Sequence, residues 1–256
     1  MRPDTLIRNT FTTDYEGNPK AGAVKVPVRN VDVEVQDYDV VKGANLTTSA
    51  TTYLDIPVSK NQVINELIDG YEAQAVPDNL IAQRLESGAY SLAKTLEDNA
   101  LEVMTTEGNF TASLAAGAST EATIYANILK DIAQLKKLGI KSNRIKVAID
   151  SDVEVLLLTD EKFSNTASQI GAELARNGVV GKINGCEVIT TDLSKEGAEY
   201  IVYAPDWCKA IDEFVIAPRI VDLKDSEHVG ASKLEGRMVY ANAITDKRAV
   251  VVKTVA

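Results

Sequence analysis

PDNLIAQRLESGAYSLAKTLEDNALEVMTT, residues 77–106, is the stretch around which the rest of the chain is organised. Ile81, Leu85, Ala89, Leu92, Leu96, Ala100 and Val103 recur at steps of three and four, which is one apolar face of a long helix. Pro77 suits a helix entrance because its φ is already fixed, Asp78 can cap the first turn, and no further proline intervenes before Gly108 ends the run. At about 1.5 Å per residue the segment predicts a rod of roughly 40 Å, far longer than an average globular helix. Such a rod serves either as a core helix or as a strut between separate bodies.

Working toward the N-terminus, Asn61 to Tyr71 carries Val63, Ile64, Leu67 and Ile68 at helical spacing. It predicts a short amphipathic helix closed by Gly70. Before it, Val24, Val26 and Val28 alternate with polar residues. Val31, Val33 and Val35 do so again after a change of register. Pro27 has no N–H to donate, which places that strand at an edge. Asp37 to Ser49 supplies a polar tip of Gly, Asn, Ser and Thr, and Thr51, Tyr53 and Pro57 lead an extended segment back. Residues 21–60 therefore describe a long two-stranded excursion, which is marginal alone in water and must rest on another surface, its own or a neighbour's. Residues 1–20 hold few apolar side chains and carry Gly17, Asn18 and Pro19 as turn signals, so they read as an arm and not as a packed element.

Toward the C-terminus, residues 108–118 are small and polar, a bend or hairpin with a domain boundary near residue 115. Ser119 or Thr120 caps a second helix with the stripe Ile124, Ile128, Leu129, Ile132, Leu135 and Leu138, stopped by Gly139. Arg144 to Asp150 alternates as a strand, and Ser151 with Glu154 forms a capping box for a helix over Asp152 to Thr159. Phe163 to Asn177 is weakly helical. Val179 to Thr190 reads as a hairpin, because Asn184-Gly185 is the pair that a type I′ turn requires. Tyr200 to Ala204, Phe214 to Ala217, Arg219 to Leu223, Lys233 to Ile244 and Arg248 to Val255 are strands, with a short helical turn over Pro205 to Ile211. Runs of strands separated by a few helices make the class α+β.

Composition excludes several functions. At 256 residues and 45% hydrophobic content the chain can bury one large core or two smaller ones. Net charge is −10 and no Lys/Arg cluster exceeds two, so specific nucleic-acid readout has no electrostatic footprint. No apolar run approaches ~18 residues and MRPDTLIRNT lacks a signal-peptide core, so the chain reads as soluble and cytoplasmic. Cys186 and Cys208 lie outside any C-x-x-C or Cys/His metal spacing and read as packed thiols of a reducing compartment. The sequons at Asn45 and Asn109 carry no meaning without secretion.

The search for chemistry nominates no catalytic, cofactor-binding or metal-ligating residue. His228, the single histidine, sits in a polar loop and reads as a solvated side chain. No Ser occupies a G-x-S-x-G elbow. Gly178, Gly181 and Gly185 with Lys182 fail as a phosphate loop, because Arg176 stands where the first glycine belongs and Ile183 where Ser or Thr must meet magnesium. Asp150/Asp152 and Asp212/Glu213 lack a histidine or a spaced third carboxylate, and read as a helix cap and a solvated turn. Trp207 and nine tyrosines are scattered, without a stacking platform.

The order of parts carries more information than any motif. TTYLDIPVSKNQVINELIDGYEAQAVPDNLIAQRLESGAYSLAKTLEDN, RIKVAIDSDVEVLLLTD, GVVGKINGCEVITTDL and LEGRMVYANAITDKRAVVVK, taken in sequence, resemble the tailed-bacteriophage major capsid proteins of the Hong Kong 97 fold, over residues 10–256. The resemblance implies an N-terminal arm at 1–20 and an extended loop at 21–62 that overlaps an adjacent subunit. It implies a peripheral domain at 63–115 and 211–246 with a spine helix, and an axial domain at 116–210 and 247–256. It implies no enzyme activity and no cofactor. The subunits would self-assemble into hexamers and pentamers of an icosahedral head in the host cytoplasm, with scaffolding and portal proteins as partners and packaged DNA touched only non-specifically. Some relatives carry about a hundred extra N-terminal residues as a scaffold; only about twenty precede the first strand here, which implies a separate scaffold or a mature form. Some crosslink Lys to Asn between subunits; Lys20, Lys25 and Lys42 lie in the right region, but nothing identifies an Asn or a helping Glu. Two alternatives stand beside this reading. One is an encapsulin-type nanocompartment shell, although residues 1–20 lack the apolar stripe of a cargo-binding helix. The other is a soluble α+β enzyme or ligand-binding domain with a pocket near Asn184.

Overall fold

A computed structural model describes residues 6–28, 35–46, 48, 51–69, 80–115, 117–160, 179–224 and 230–255. In chain order the elements are β1 (Ala23–Val28), β2 (Thr52–Pro57), β3 (Lys60–Ile68), α1 (Leu80–Thr105), β4 (Thr111–Ala112), α2 (Ile124–Lys137) and β5 (Lys146–Ile149). They continue as α3 (Ser151–Thr159), β6 (Val179–Ile183), β7 (Cys186–Thr190), β8 (Ala198–Tyr203), β9 (Cys208–Asp222), β10 (Ser232–Ile244) and β11 (Val250–Thr254). The strands form three sheets: β1-β2, β3-β10-β9 and β4-β11-β8-β5-β7-β6. This is the mixed α+β architecture expected from the sequence.

The six-stranded sheet is buried on both faces. Val147, Ile149, Tyr200 and Val202 meet Ile124, Ile128, Ile132 and Leu135 of α2 and Val153 and Leu157 of α3. Ala148, Ile201, Tyr203, Val250 and Val252 point the other way, onto Ala100, Leu101 and Met104 of α1. Each buried Val, Leu, Ile or Met among them contributes roughly 1.5–3 kcal/mol of transfer free energy. The three-stranded sheet packs on the earlier part of the same helix, where Leu92 and Leu96 meet Met238 and Tyr240 with Ile64 beside them. One 26-residue rod thus connects two sheets, which is the physical content of the strut expectation. Its entrance at Pro77 and Asp78 lies outside the described residues. The buried stripe also differs in detail: Gly88 takes the buried place given to Ala89, which is exposed. At Gly88 a Cβ would stand 3.0 Å from Leu234 Cδ2 and 3.3 Å from Ile64 Cδ1, so the close approach of helix and sheet selects glycine.

Residues 61–71 are the principal correction. Residues 60–68 form a strand, not a helix, paired antiparallel to β10 from Lys60↔Tyr240 to Ile68↔Ser232. Val63/Leu67 and Ile64/Ile68 are each four apart. A step of four is one turn of a helix and also two repeats of a strand, so the pairs fit either element. The long partner β10 decides: Ile68 is buried and Ile64 packs on α1, while Val63 and Leu67 face outward. Gly70 lies outside the described residues.

Smaller differences have local causes. Asp150, not Ser151, caps α3, accepting from the Asp152 N–H at 3.3 Å. Thr123, not Ser119 or Thr120, stands at the N-cap of α2. The Ser119 hydroxyl donates instead to Glu199 Oε2 at 2.5 Å. Leu138 follows α2 as an exposed C-cap residue, and Gly139 adopts φ 83°. Residues 111–112 form a short strand parallel to β11 and not a hairpin. The two expected strands around Pro218 are one 15-residue strand. Its register with β10 shifts near Glu235 and Arg237, where Gly236 admits the Pro218 backbone. The predicted type I′ hairpin stands as read, with Asn184 at φ 52° and Gly185 at φ 83°. Helical residues expected over 163–177 lie outside the described segments, as do residues 31–34.

Candidate functional site

The most exposed apolar feature of the described residues is the excursion between β1 and β2. Its base is an antiparallel ladder running from Ala23↔Pro57 to Val28↔Thr52. Val24, Val26 and Ile56 sit against Ile211 of β9 and Ala241 of β10, so the base rests on its own subunit. The described tip residues do not. Val35, Tyr38, Val40, Val41 and Leu46 are between 74% and 96% exposed. Polar groups shape the tip from within: Asp39 Oδ1 accepts the N–H groups of Val41 at 2.7 Å and Lys42 at 3.0 Å. Gly43 returns its N–H to the Asp39 carbonyl at 2.8 Å, and Gln36 Oε1 accepts from the Asn45 N–H at 3.1 Å. The N–H groups of Lys42 and Val41 hold the Asp39 carboxyl below its usual range. Asp39 and Gln36 satisfy backbone groups of the tip, and nothing among the described residues covers its apolar side chains.

A cleft of about 370 Å³ lies beneath the hairpin base, between Leu54, Pro57, Val103, Asn109 and Ile244. Its titratable lining is Asp55 and Lys60, both exposed, so it holds no buried acid/base pair. A second, of about 220 Å³, lies between Pro27, Trp207 and Thr245, with Arg144 paired to Asp206 at 3.0 Å at its rim.

Three of the four carboxylates considered from the sequence, Asp150, Asp212 and Glu213, have structural partners. Asp150 caps α3 and also accepts from the Leu193 N–H at 2.9 Å. Asp212 and Glu213 are not a solvated turn; they lie in β9, where Asp212 takes Arg8 at 2.5 Å and Glu213 takes Lys20 at 2.8 Å. Cys186 and Cys208 are separate buried thiols. Burial pushes the Cys186 thiol up to about 11 and that of Cys208 up as well. Lys25 and Lys42 are exposed, the second within the tip. His228 lies outside the described residues, and among the described residues no group of three His, Cys, Asp or Glu is placed to hold a metal.

Sequence reasoning missed the buried carboxylates Glu97, Asp131 and Glu199. Glu97, on α1, accepts the Ile7 N–H with Oε1 at 2.8 Å and the Arg8 N–H with Oε2 at 2.9 Å. Burial pushes its carboxyl up, and the Arg8 and Ile7 N–H groups act against that. Asp131, on α2, takes Ser113, Tyr200, Leu114 and Gln134. Glu199, on β8, takes Ser119. In a helix or strand pattern such residues read as the solvated face; only the contacts made by other chain segments reveal them.

No family model matches the sequence, and no curated protein matches it. Solved structures do. The chain is similar to a structure from Mycobacterium phage Che8 at 18% identity and TM-score 0.69, covering 96% of this chain and 89% of that one. It is similar to the capsid of the cyanophage P-SCSP1u at 13% identity and TM-score 0.68, covering 100% and 89%. It is similar to the mature capsid of bacteriophage PhiM1 at 14% identity and TM-score 0.61, covering 92% and 82%. At these identities the likeness is one of fold. The fold of this chain is the one found in phage capsids.

Proposed function

We infer that this chain is the major capsid protein of a tailed phage. In this reading it is a structural subunit without catalytic activity that assembles with its own copies into hexamers and pentamers, closes an icosahedral head around double-stranded DNA and resides in the virion. The single observation that carries the reading is the likeness to phage capsid structures over almost the whole chain. The apolar hairpin tip, 74% to 96% exposed, supports it, because a closed shell multiplies many modest contacts and needs projecting edges more than one tight site.

In this reading residues 1–20 are the arm, 21–62 the extended loop, 63–115 and 211–246 the peripheral domain with α1 as spine, and 116–210 and 247–256 the axial domain. Scaffolding and portal proteins are the further partners. Net charge of −10 keeps a concentrated subunit soluble and gives packaged DNA no strong trap on the wall. No membrane contact is part of this reading, and among the described residues no helix is long and apolar enough to cross one.

The test is size-exclusion chromatography with electron microscopy of the purified chain. Rings, tubes or shells are expected; a stable monomer of 27.6 kDa at all concentrations would reject the reading.

A further inference from the structure

Residues 1–20 read from the sequence as an arm and not as a packed element; the described segment, residues 6–22, is instead packed on the rest of the chain, with Ile7, Arg8 and Phe11 buried. This segment forms a strap that touches, in order, the rod, both larger sheets and the hairpin. Ile7 and Phe11 are buried among Ala100, Leu101, Met104 and Tyr203. Arg8 reaches Asn242 Oδ1 at 3.2 Å and Asp212 at 2.5 Å, and Asn242 donates to Asn99 Oδ1 of α1 at 3.0 Å. Thr12 then runs alongside β9, donating its N–H to the Cys208 carbonyl and accepting from the Ala210 N–H, each at 3.0 Å. Glu16 exchanges both backbone hydrogen bonds with Lys25, at 2.8 and 2.9 Å, so the strap adds a bridge to β1. Gly22 accepts from the Val58 N–H just beyond β2, at 2.9 Å.

The apolar contact of the hairpin base is the small cluster of Val24, Val26, Ile56, Ile211 and Ala241, and one of the side chains packed on that cluster is Tyr15 of the strap. Glu97 sits at the other end. It is 9% exposed, and both of its oxygens are engaged by strap N–H groups. Lifting the strap removes both donors from Glu97 at once and returns Ile7 and Phe11 to water, so docking is favoured as a unit and intermediate positions are not.

We propose that this strap, latched at Glu97, sets the orientation of the hairpin, so that release of the latch frees the hairpin base while the two main sheets stay folded. The strap is a conformational device that couples the N-terminal segment to the projecting tip. It does not depend on what the tip meets.

The experiment is hydrogen exchange read by mass spectrometry on the full chain carrying Glu97→Gln, which keeps side-chain size but replaces one acceptor oxygen by a donor. Exchange should speed about tenfold or more in residues 6–16 and also in 23–28 and 52–57, with 146–149 and 198–203 unchanged. Faster exchange in 6–16 alone would overturn the coupling, and no change anywhere would overturn the latch. Should Glu97→Gln fail to fold, Glu97→Asp, which keeps the charge but shortens its reach to the Ile7 and Arg8 N–H groups, gives the same readout with the same two refuting outcomes.

Discussion

Replacing Asp131 with Ala tests the polar centre of the larger sheet layer. Asp131 is fully buried on α2. Oδ2 accepts the Ser113 hydroxyl at 2.5 Å and the Tyr200 hydroxyl at 2.8 Å; Oδ1 accepts the Leu114 N–H at 3.1 Å and Gln134 Nε2 at 2.9 Å. Ser113 also lies 3.3 Å from Tyr200, so those two hydroxyls can satisfy one another once the carboxylate is gone. Gln134 is half-buried and can turn to water. That leaves the Leu114 N–H and one hydroxyl hydrogen as the stranded donors, at about 1–3 kcal/mol each, for a total of about 2–6 kcal/mol. The assay is urea unfolding of the unassembled subunit, with Tyr200→Phe as the second arm of a double-mutant cycle. Tyr200→Phe should be costly in the native background and nearly neutral beside Asp131→Ala, because the stranded hydroxyl has been removed. An Asp131→Ala cost below about 1 kcal/mol, or equal costs of Tyr200→Phe in both backgrounds, would refute the reasoning.

Three further outcomes are expected. Deleting residues 38–50 should leave a folded, soluble subunit by circular dichroism that closes no shell by electron microscopy; loss of the folded signal would contradict the exposed tip. Cys186 and Cys208 should resist a thiol reagent at pH 8 in the folded chain and react in denaturant, because burial raises both thiols, Cys186 to about 11. Their folded pKa values lie above the unfolded ~8.5, so the stability they contribute is complete below that value and is lost as pH rises toward about 11; prompt labelling of the native chain would be the contrary result. Gly236→Ala should destabilise by about 1–3 kcal/mol in urea unfolding, since a Cβ there stands 3.2 Å from the Pro218 Cα, which is backbone and cannot turn aside. A neutral effect would place the two strands farther apart than described.

The sequence was most legible where one periodicity or one turn chemistry acted alone. The stripe of α2 and the Asn184-Gly185 turn are of that kind, and so is the body of α1. It misled where two periods coincide, as in residues 60–68, whose four-residue spacing fits a helix until β10 is present to pair with them. It was silent where a polar residue gains meaning from a distant segment. Glu97 lies among Leu96, Ala100 and Leu101 on α1, and its acceptors face N–H groups some ninety positions away. The same is true of residues 6–12, whose sparse Ile7 and Phe11 look solvated until α1 and β8 cover them. The projecting hairpin was legible in outline from Pro27 and the turn residues of its tip, but reading that tip as polar passed over its exposed Tyr38, Val40, Val41 and Leu46, and no local pattern links its base to Ile211 and Ala241.

The most direct measurement is an electron-microscopy reconstruction of particles assembled from this chain, with the surroundings of Val40, Val41 and Leu46 traced in each subunit. Burial of these side chains against another copy of the chain is the expected result. Shells in which all three remain in solvent, or a chain that forms no particle under any condition, would contradict the account.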